Sequence, residues 1–100
     1  MQFTVYENLF EETQEDYPFY LNVQHGLHTT LDSRMVLPLS QNVEDIKGLS
    51  PLFSINGKPY RAVVHEMFAI PTVYLGKEVE DLSQYSSQII DSIDFLITGF

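Results

Sequence analysis

The chain has 100 residues, of which 44% are hydrophobic and 13% aromatic, so it has the length of one domain and enough apolar side chains for a core. Because it contains no cysteine, disulfides and thiolate metal sites are excluded, and the cytoplasm is favoured over secretion. The net charge of -9 opposes binding to nucleic acid, and no apolar run approaches the roughly 20 residues of a membrane helix.

The first half of the chain predicts short strands joined by polar loops. Alternating or nearly continuous apolar residues place three strands at Phe3–Val5, Phe19–Val23 and Met35–Leu39. Polar segments follow them at 7–16, 25–33 and 41–50, and we expect a helical turn in the last. Pro38 has no N–H to donate to a neighbouring strand, which predicts an edge strand or a strand end.

The second half predicts a hairpin, one more strand and a helix. Leu52–Ile55 and Tyr60–Val64 flank Asn56-Gly57-Lys58-Pro59, in which Asn-Gly is the strongest hairpin signal in the sequence. Thr72–Leu75 predicts a strand that Gly76 ends. Beyond it the apolar spacing becomes that of an amphipathic helix, with one face formed by Tyr85, Ile89, Ile93, Leu96 and Ile97.

The ends of this helix carry their own signals. Asp81 or Ser83 can cap its start, and Gly99 stands where a helix ends in a left-handed turn. Taken together, the pattern predicts a mainly β chain, residues 1–100 forming a single small antiparallel barrel or sheet with a C-terminal α-helix.

Residues with catalytic or metal-binding chemistry are few. His25 and His28 stand three apart in a loop, so an exposed pair is favoured over a metal site. His65-Glu66 has the form of a base with its orienting carboxylate, but it lacks a nucleophile and a structural role is favoured. We therefore expect no enzyme, no metal and no cofactor.

The apolar end of the helix is the remaining unusual feature. Ile97 and Phe100 would form an apolar tip, and exposed apolar patches mark protein contacts. Spacing alone leaves two alternatives open, in which Phe100 folds back under the helix or packs in a dimer.

Short sequence blocks spread along the chain carry a family resemblance. They are Met1-Gln2-Phe3, Val5-Tyr6, Val23-Gln24, Arg34-Met35-Val36, Pro38-Leu39, Met67, Ile70-Pro71, the run from Leu75 to Ser83, and Gly99 before one last apolar residue. In this order and at this length the chain resembles the CcdB toxin family of bacterial toxin–antitoxin modules. The resemblance implies a homodimer of small SH3-like barrels of the CcdB/MazF kind.

The resemblance also implies a function without catalysis. CcdB toxins bind the DNA gyrase A subunit and trap gyrase with cleaved DNA. A cognate CcdA-like antitoxin binds the toxin through a disordered segment, neutralises it and carries the DNA-binding part for autoregulation. On this reading the chain is a cytoplasmic protein that contacts neither a membrane nor, by itself, nucleic acid.

The resemblance further implies which residues contact gyrase. The best-known member ends in Trp-Gly-Ile, and the matching residues here are Thr98, Gly99 and Phe100. Asp94 and Ile97 match further contact positions on the helix, and Leu27 and His28 match two apolar residues in a neighbouring loop. Thr98 lacks the Trp ring that sandwiches a gyrase Arg, His28 replaces an apolar residue, and Asp94 replaces a neutral amide.

Two rival readings follow from the same residues. A MazF-like endoribonuclease would need cations and an acid–base pair, for which Arg34, Arg61 and His65 are the candidates. A homologue that has lost gyrase and binds only an antitoxin is the other, because Thr98 and His28 depart from the family pattern.

Overall fold

The computed structural model describes residues 1–26 and 30–99. They form seven β-strands and one α-helix, with short 3-10 turns at Val64–Glu66, Thr72–Tyr74 and Ser83–Tyr85. In chain order the elements are β1 Thr4–Asn8, β2 Phe19–Asn22, β3 Ser33–Ser40, β4 Leu52–Ile55, β5 Lys58–Ala62, β6 Phe68–Pro71, β7 Leu75–Asp81 and α1 Ser86–Thr98.

The strands form one antiparallel sheet in the order β4-β5-β3-β2-β1-β7, with β6 pairing alongside β3. The sheet curls into a half-barrel, and α1 follows it at the C-terminal end. The mainly β fold with a C-terminal helix is therefore as predicted. Strand β3 is long enough to hold two partners on one side, because Arg34 lies opposite Ile70 of β6 and Ser40 lies opposite Arg61 of β5.

The predicted hairpin is confirmed between β4 and β5. Ile55 pairs with Lys58, which leaves Asn56-Gly57 as a two-residue turn. Both residues have positive φ, at 53° and 80°, as the tight turn compatible with strand twist requires.

The strand predicted at Thr72–Leu75 is wrong, and β6 was not predicted. Thr72–Tyr74 is a 3-10 turn, and β7 begins at Leu75 and continues through Gly76 to Asp81. The N–H of Thr72 donates to the carbonyl of Asp32 at 2.9 Å, a long-range bond that no local pattern records.

The edge position offered for Pro38 is also wrong. Strand β3 is central, and Pro38 lies opposite Tyr20 of β2 near the place where the other partner changes from β6 to β5. Its carbonyl accepts the N–H of Val63 at 2.8 Å. In the segment 41–50, the helical turn is reduced to a hydrogen-bonded turn from Ile46 to Leu49.

Apolar side chains cover both faces of the sheet. The main core lies on the concave face and includes Val5, Leu21, Leu37, Ile55 and Ile89. A smaller cluster of Tyr20, Val36 and Ile70 lies on the opposite face. Because Ile89 of α1 belongs to the main core, the helix is anchored to the concave side of the sheet.

Candidate functional site: the last turn of the C-terminal helix

The first part of α1 is held by the core. Ile89 and Ser92 are buried, and Ile93 packs against the main core. Ser92 satisfies its hydroxyl within the helix, donating to the carbonyl of Gln88 at 3.0 Å. This packing fixes the orientation of α1 on the sheet. The last turn of the helix lies beyond these buried residues.

The start of α1 differs in detail from the prediction. A 3-10 turn at Ser83–Tyr85 precedes the helix, and Tyr85 occupies the cap position without a side-chain bond. Asp81 accepts the N–H of Ser83 at 2.9 Å, so it ends β7 and opens this turn rather than capping α1 itself. That bond lowers the pKa of the Asp81 carboxyl.

The last turn of α1 is exposed and partly apolar. Ile97 is 69% exposed, and Leu96 is exposed beside it. The predicted apolar face of the helix is therefore covered at Ile89 and Ile93 and most exposed at Ile97, while the Tyr85 ring packs against Phe53 with centroids 5.6 Å apart. We define the helix tip as Asp94–Gly99.

Two hydrogen bonds organise the helix tip. Gly99 has φ 78°, and its N–H donates to the carbonyl of Phe95 at 2.9 Å, as predicted for a left-handed helix end. The hydroxyl of Thr98 donates to the carbonyl of Asp94 at 2.7 Å. The Thr98 hydroxyl is thus turned back onto the helix, while the Ile97 side chain points to solvent.

The charge of the helix tip is negative. Asp91 and Asp94 are exposed, and the last turn contains no basic residue. The C-terminal end of a helix also carries about half a negative charge from its dipole. A carboxylate near that end is unfavourable for the helix itself, so the arrangement is suited to a cationic group on a partner.

The predicted gyrase-contact residues are brought together only in part. Asp94, Ile97, Thr98 and Gly99 share the helix tip. Leu27, His28 and Phe100 lie outside the described residues, so their places beside the tip stay predictions.

Arg34 and Arg61, two of the three candidates for ribonuclease chemistry, lie apart on the sheet. Arg34 and the partner position of Arg61 are six residues apart on β3, which corresponds to about 20 Å of extended strand. Arg61 pairs with Asp45 at 3.3 Å and donates to the carbonyl of Ser50 at 2.9 Å. Arg34 donates to the carbonyls of Leu31 and Ser33.

Tyr17, Glu66 and His65 form a phenol–carboxylate–imidazole group, of which the sequence predicted only the His65-Glu66 part. The hydroxyl of Tyr17 donates to Glu66 at 3.1 Å, and the other carboxylate oxygen of Glu66 lies 3.7 Å from Nε2 of His65. Burial, and then the bond to Glu66, raise the pKa of Tyr17. Tyr17 is 48 residues or more from both partners in sequence, so no spacing rule connects them.

An apolar surface at β6 was also missed. Met35, Phe68 and Val73 are exposed, and the Phe68 ring packs edge-on to Tyr20 with centroids 5.6 Å apart. Val36 lies opposite Phe68 and Met35 lies opposite Ala69, so apolar side chains flank both faces of this short strand. Among the described residues, β6 pairs with β3 alone.

The described residues contain neither a candidate metal site nor a candidate membrane-spanning helix. No group of three or more His, Asp or Glu side chains in residues 1–26 and 30–99 could hold a metal ion. In the same ranges, no helix has the length and hydrophobicity of a membrane-spanning segment.

The curled antiparallel sheet with one C-terminal helix is a fold found in small bacterial toxins. A MazF-mt6 toxin of Mycobacterium tuberculosis matches with a TM-score of 0.77 and 12% identity, over 94% of this chain and 95% of that one. An endoribonuclease from a mycobacterial species, solved with its cognate antitoxin, matches with a TM-score of 0.79 and 9% identity, over 97% and 93%. A further toxin of M. tuberculosis matches with a TM-score of 0.69 and 17% identity, over 78% and 90%.

The sequence itself places the chain in a family. The family model described as CcdB protein matches residues 2–99, almost the whole chain. The chain therefore belongs to the CcdB family, as the sequence blocks predicted.

Proposed function

We propose that the chain is the toxin of a type II toxin–antitoxin module and that it poisons DNA gyrase by binding the A subunit. Asp94, Ile97, Thr98 and Gly99 would make the contact, together with Phe100 and the loop residues Leu27 and His28. The observation that carries the proposal is the helix tip, where a bare Ile97 stands beside a carboxylate and a left-handed Gly99. Membership of the CcdB family supports it.

The chemistry of the tip fits a protein partner. Full burial of an aliphatic side chain such as Ile97 stabilises a complex by about 1.5–3 kcal/mol. A desolvated bond from a partner Arg to Asp94 adds roughly 1.5–3 kcal/mol. Neither contact performs a reaction, so the proposed action is to hold gyrase in its DNA-cleaved state rather than to catalyse.

We also propose that the protein acts as a homodimer, formed through the apolar surface at β6. Met35 is 37% and Phe68 38% exposed, and a second copy would cover them and pair with the edge of β6 that no described strand occupies. A domain of this size buries a modest share of its surface alone, so a dimer interface adds stability.

The antitoxin is the second proposed partner. One structural neighbour was solved with its cognate antitoxin, which supports the same kind of partnership for this chain. We propose that a CcdA-like antitoxin folds a disordered segment over the toxin, since such segments bind by covering large surfaces.

A MazF-like endoribonuclease is the competing function, and the structural neighbours favour it. The separation of Arg34 from Arg61 and the net charge of -9 count against it. The third reading is a homologue that binds only the antitoxin, and it rests on Thr98 and His28. The experiment below distinguishes it from a gyrase poison.

The deciding experiment incubates the purified protein with gyrase, supercoiled plasmid and ATP, and scores linear DNA after detergent and protease. We expect cleavage that requires gyrase, that Ile97→Ser abolishes, and that deletion of Gly99 and Phe100 abolishes. Leu52→Ser is the matched control, because Leu52 is a half-exposed aliphatic residue on β4.

Three outcomes would overturn the proposal. Equal DNA cleavage with the wild type and with Ile97→Ser would show that the helix tip does not contribute to gyrase poisoning. Antitoxin binding without gyrase binding would leave a gyrase-inactive homologue. RNA cleavage by the pure protein in EDTA, without gyrase cleavage, would establish the endoribonuclease.

A further inference from the structure

Phe95 ties the helix tip to the turn that precedes β4. Gly48 lies in the turn closed by the bond from Leu49 N–H to Ile46 O at 2.9 Å, and it has φ +83°. A Cβ placed on Gly48 would lie 2.8 Å from both Cδ2 and Cε2 of Phe95. The phenyl ring therefore rests directly on the Gly48 backbone, at a distance that no other residue type allows.

The position of Phe95 in α1 links this contact to the tip. The carbonyl of Phe95 accepts the N–H of Gly99, and its neighbours Asp94, Leu96 and Ile97 are exposed. Core packing holds α1 at Ile89 and Ile93, which lie before this turn. The ring of Phe95 thus braces the final turn of α1 against the turn that precedes β4.

We propose that Gly48 is a positioning residue, which sets the orientation of the helix tip through the ring of Phe95. The inference deepens the proposed function and rests on it for the identity of the partner. Neither residue needs to contact the partner. Gly48 acts because it has no side chain, and the Phe95 ring acts because it packs against the Gly48 backbone.

The surroundings of the ring explain why a substitution at Gly48 would move the tip rather than unfold the protein. Phe95 is 38% exposed and lies on the wall of an open groove of about 490 Å³, whose other lining residues include Gly48, Ser92 and Gln88. A Cβ at Gly48 would push the ring into this open space. The helix turn that carries the ring would then lose its support.

Gly57 provides a matched control for the backbone strain that an Ala at Gly48 would introduce. Gly57 has φ +80°, close to that of Gly48, but nothing lies within 4 Å of a Cβ placed there. Gly48→Ala and Gly57→Ala therefore share the left-handed strain. Only Gly48→Ala adds the collision with Phe95.

The test measures binding to the gyrase A subunit and the amide ¹H–¹⁵N spectrum of the intact protein. We expect Gly48→Ala to weaken binding by about tenfold and to shift the amides of residues 94–99, whereas Gly57→Ala changes neither. In a Phe95→Ala background, Gly48→Ala should weaken binding no further, because the colliding ring is gone.

The spectrum separates this inference from the proposed function. If the wild type does not bind gyrase, the proposed function fails, while the amide shifts still decide whether Gly48 positions the tip. Unchanged tip amides in folded Gly48→Ala, or equal shifts in Gly57→Ala, would overturn the inference. If Gly48→Ala does not fold, Phe95→Ala must speed hydrogen exchange at the amides of Thr98 and Gly99, which it does not replace, and unchanged exchange rates there would overturn the inference as well.

Discussion

The side-chain amide of Asn8 donates to the backbone carbonyl of Tyr17 at 2.8 Å and closes the base of the loop between β1 and β2. The same amide donates to the hydroxyl of Thr13 at 2.9 Å, and its oxygen accepts the N–H of Phe10 at 2.7 Å. Asn8 is buried, and its three partners Phe10, Thr13 and Tyr17 are half-buried. The acidic loop is thereby built around one amide side chain.

We expect Asn8→Ala to lower the free energy of unfolding by about 2–4 kcal/mol, because it removes three part-buried hydrogen bonds, each worth about 0.5–1.5 kcal/mol. Urea denaturation followed by circular dichroism would measure the change. Gln14→Ala is the control, since exposed Gln14 donates one bond to the Asn8 carbonyl. A loss in Asn8→Ala as small as in the control would contradict the role assigned to Asn8.

The two ends of α1 should respond differently to truncation. Ile89 is fully buried, so Ile89→Ala should cost about 2–5 kcal/mol of stability. Ile97→Ala should change stability by less than about 0.5 kcal/mol while weakening gyrase binding. Thermal unfolding and a binding assay on both variants check this, and a large loss of stability in Ile97→Ala would mean that the tip is packed in the folded protein.

We expect the free energy of unfolding to fall in alkaline solution as Tyr17 loses its proton. Its pKa is raised above the ordinary value of 10.0, first by burial and then by the bond to Glu66. The unfolded chain therefore releases this proton at lower pH than the folded protein. The stability that Tyr17 contributes is complete below pH 10 and is lost as the pH rises through the folded-state value.

Urea midpoints measured on either side of pH 10 would test this dependence. Tyr17→Phe should fall less steeply than the wild type across this interval. Glu66→Gln should keep part of the wild-type slope, because burial is the larger cause of the shift. Identical slopes in the wild type and Tyr17→Phe would refute the assignment.

Thr98→Trp should strengthen gyrase binding. The family resemblance implies a Trp at this position that sandwiches a gyrase Arg, and such a contact is worth about 0.5–2 kcal/mol per ring. Two rings in a dimer would raise affinity by about tenfold to a few hundredfold. Calorimetric titration with the gyrase A fragment would measure the gain.

Thr98→Val is the control for this substitution. It removes the bond from the Thr98 hydroxyl to the Asp94 carbonyl without adding a ring, and we expect no gain in affinity from it. If Thr98→Trp binds no better than Thr98→Val, this tip does not meet gyrase as the family resemblance implies.

Local signals succeeded where the structure is formed by neighbours in the chain. Asn56-Gly57 predicted the β4–β5 turn because only a few residue types tolerate its positive φ values. Gly99 predicted the helix end for the same reason. Both are properties of a few consecutive residues, so the sequence contains them directly.

Local signals failed where a distant partner sets the structure. The run Thr72–Leu75 begins with two β-branched residues and a Tyr, which favour a strand, yet Thr72 is held in a 3-10 turn by the carbonyl of Asp32. Strand β6 exists because Ser33–Val36 of β3 lies beside it. The local sequence around Thr72 or β6 does not show that Asp32 or β3 lies beside it. Whether a segment forms a strand depends on such contacts with distant residues.

By itself, the sequence determined the class of fold, the family and the apolar face of α1, because composition, ordered motifs and 3.6-residue periodicity are properties of the chain alone. Only the tertiary structure decided how far along α1 that face is covered. Ile89 and Ile93 contact the core, whereas Ile97 lies beyond it. The periodicity of the sequence shows on which side of the helix a side chain lies, but not how far along the helix the sheet extends to cover that side. The contact between Gly48 and Phe95 was hidden for a related reason, since the residues are 47 apart in sequence and meet only when the sheet and helix pack.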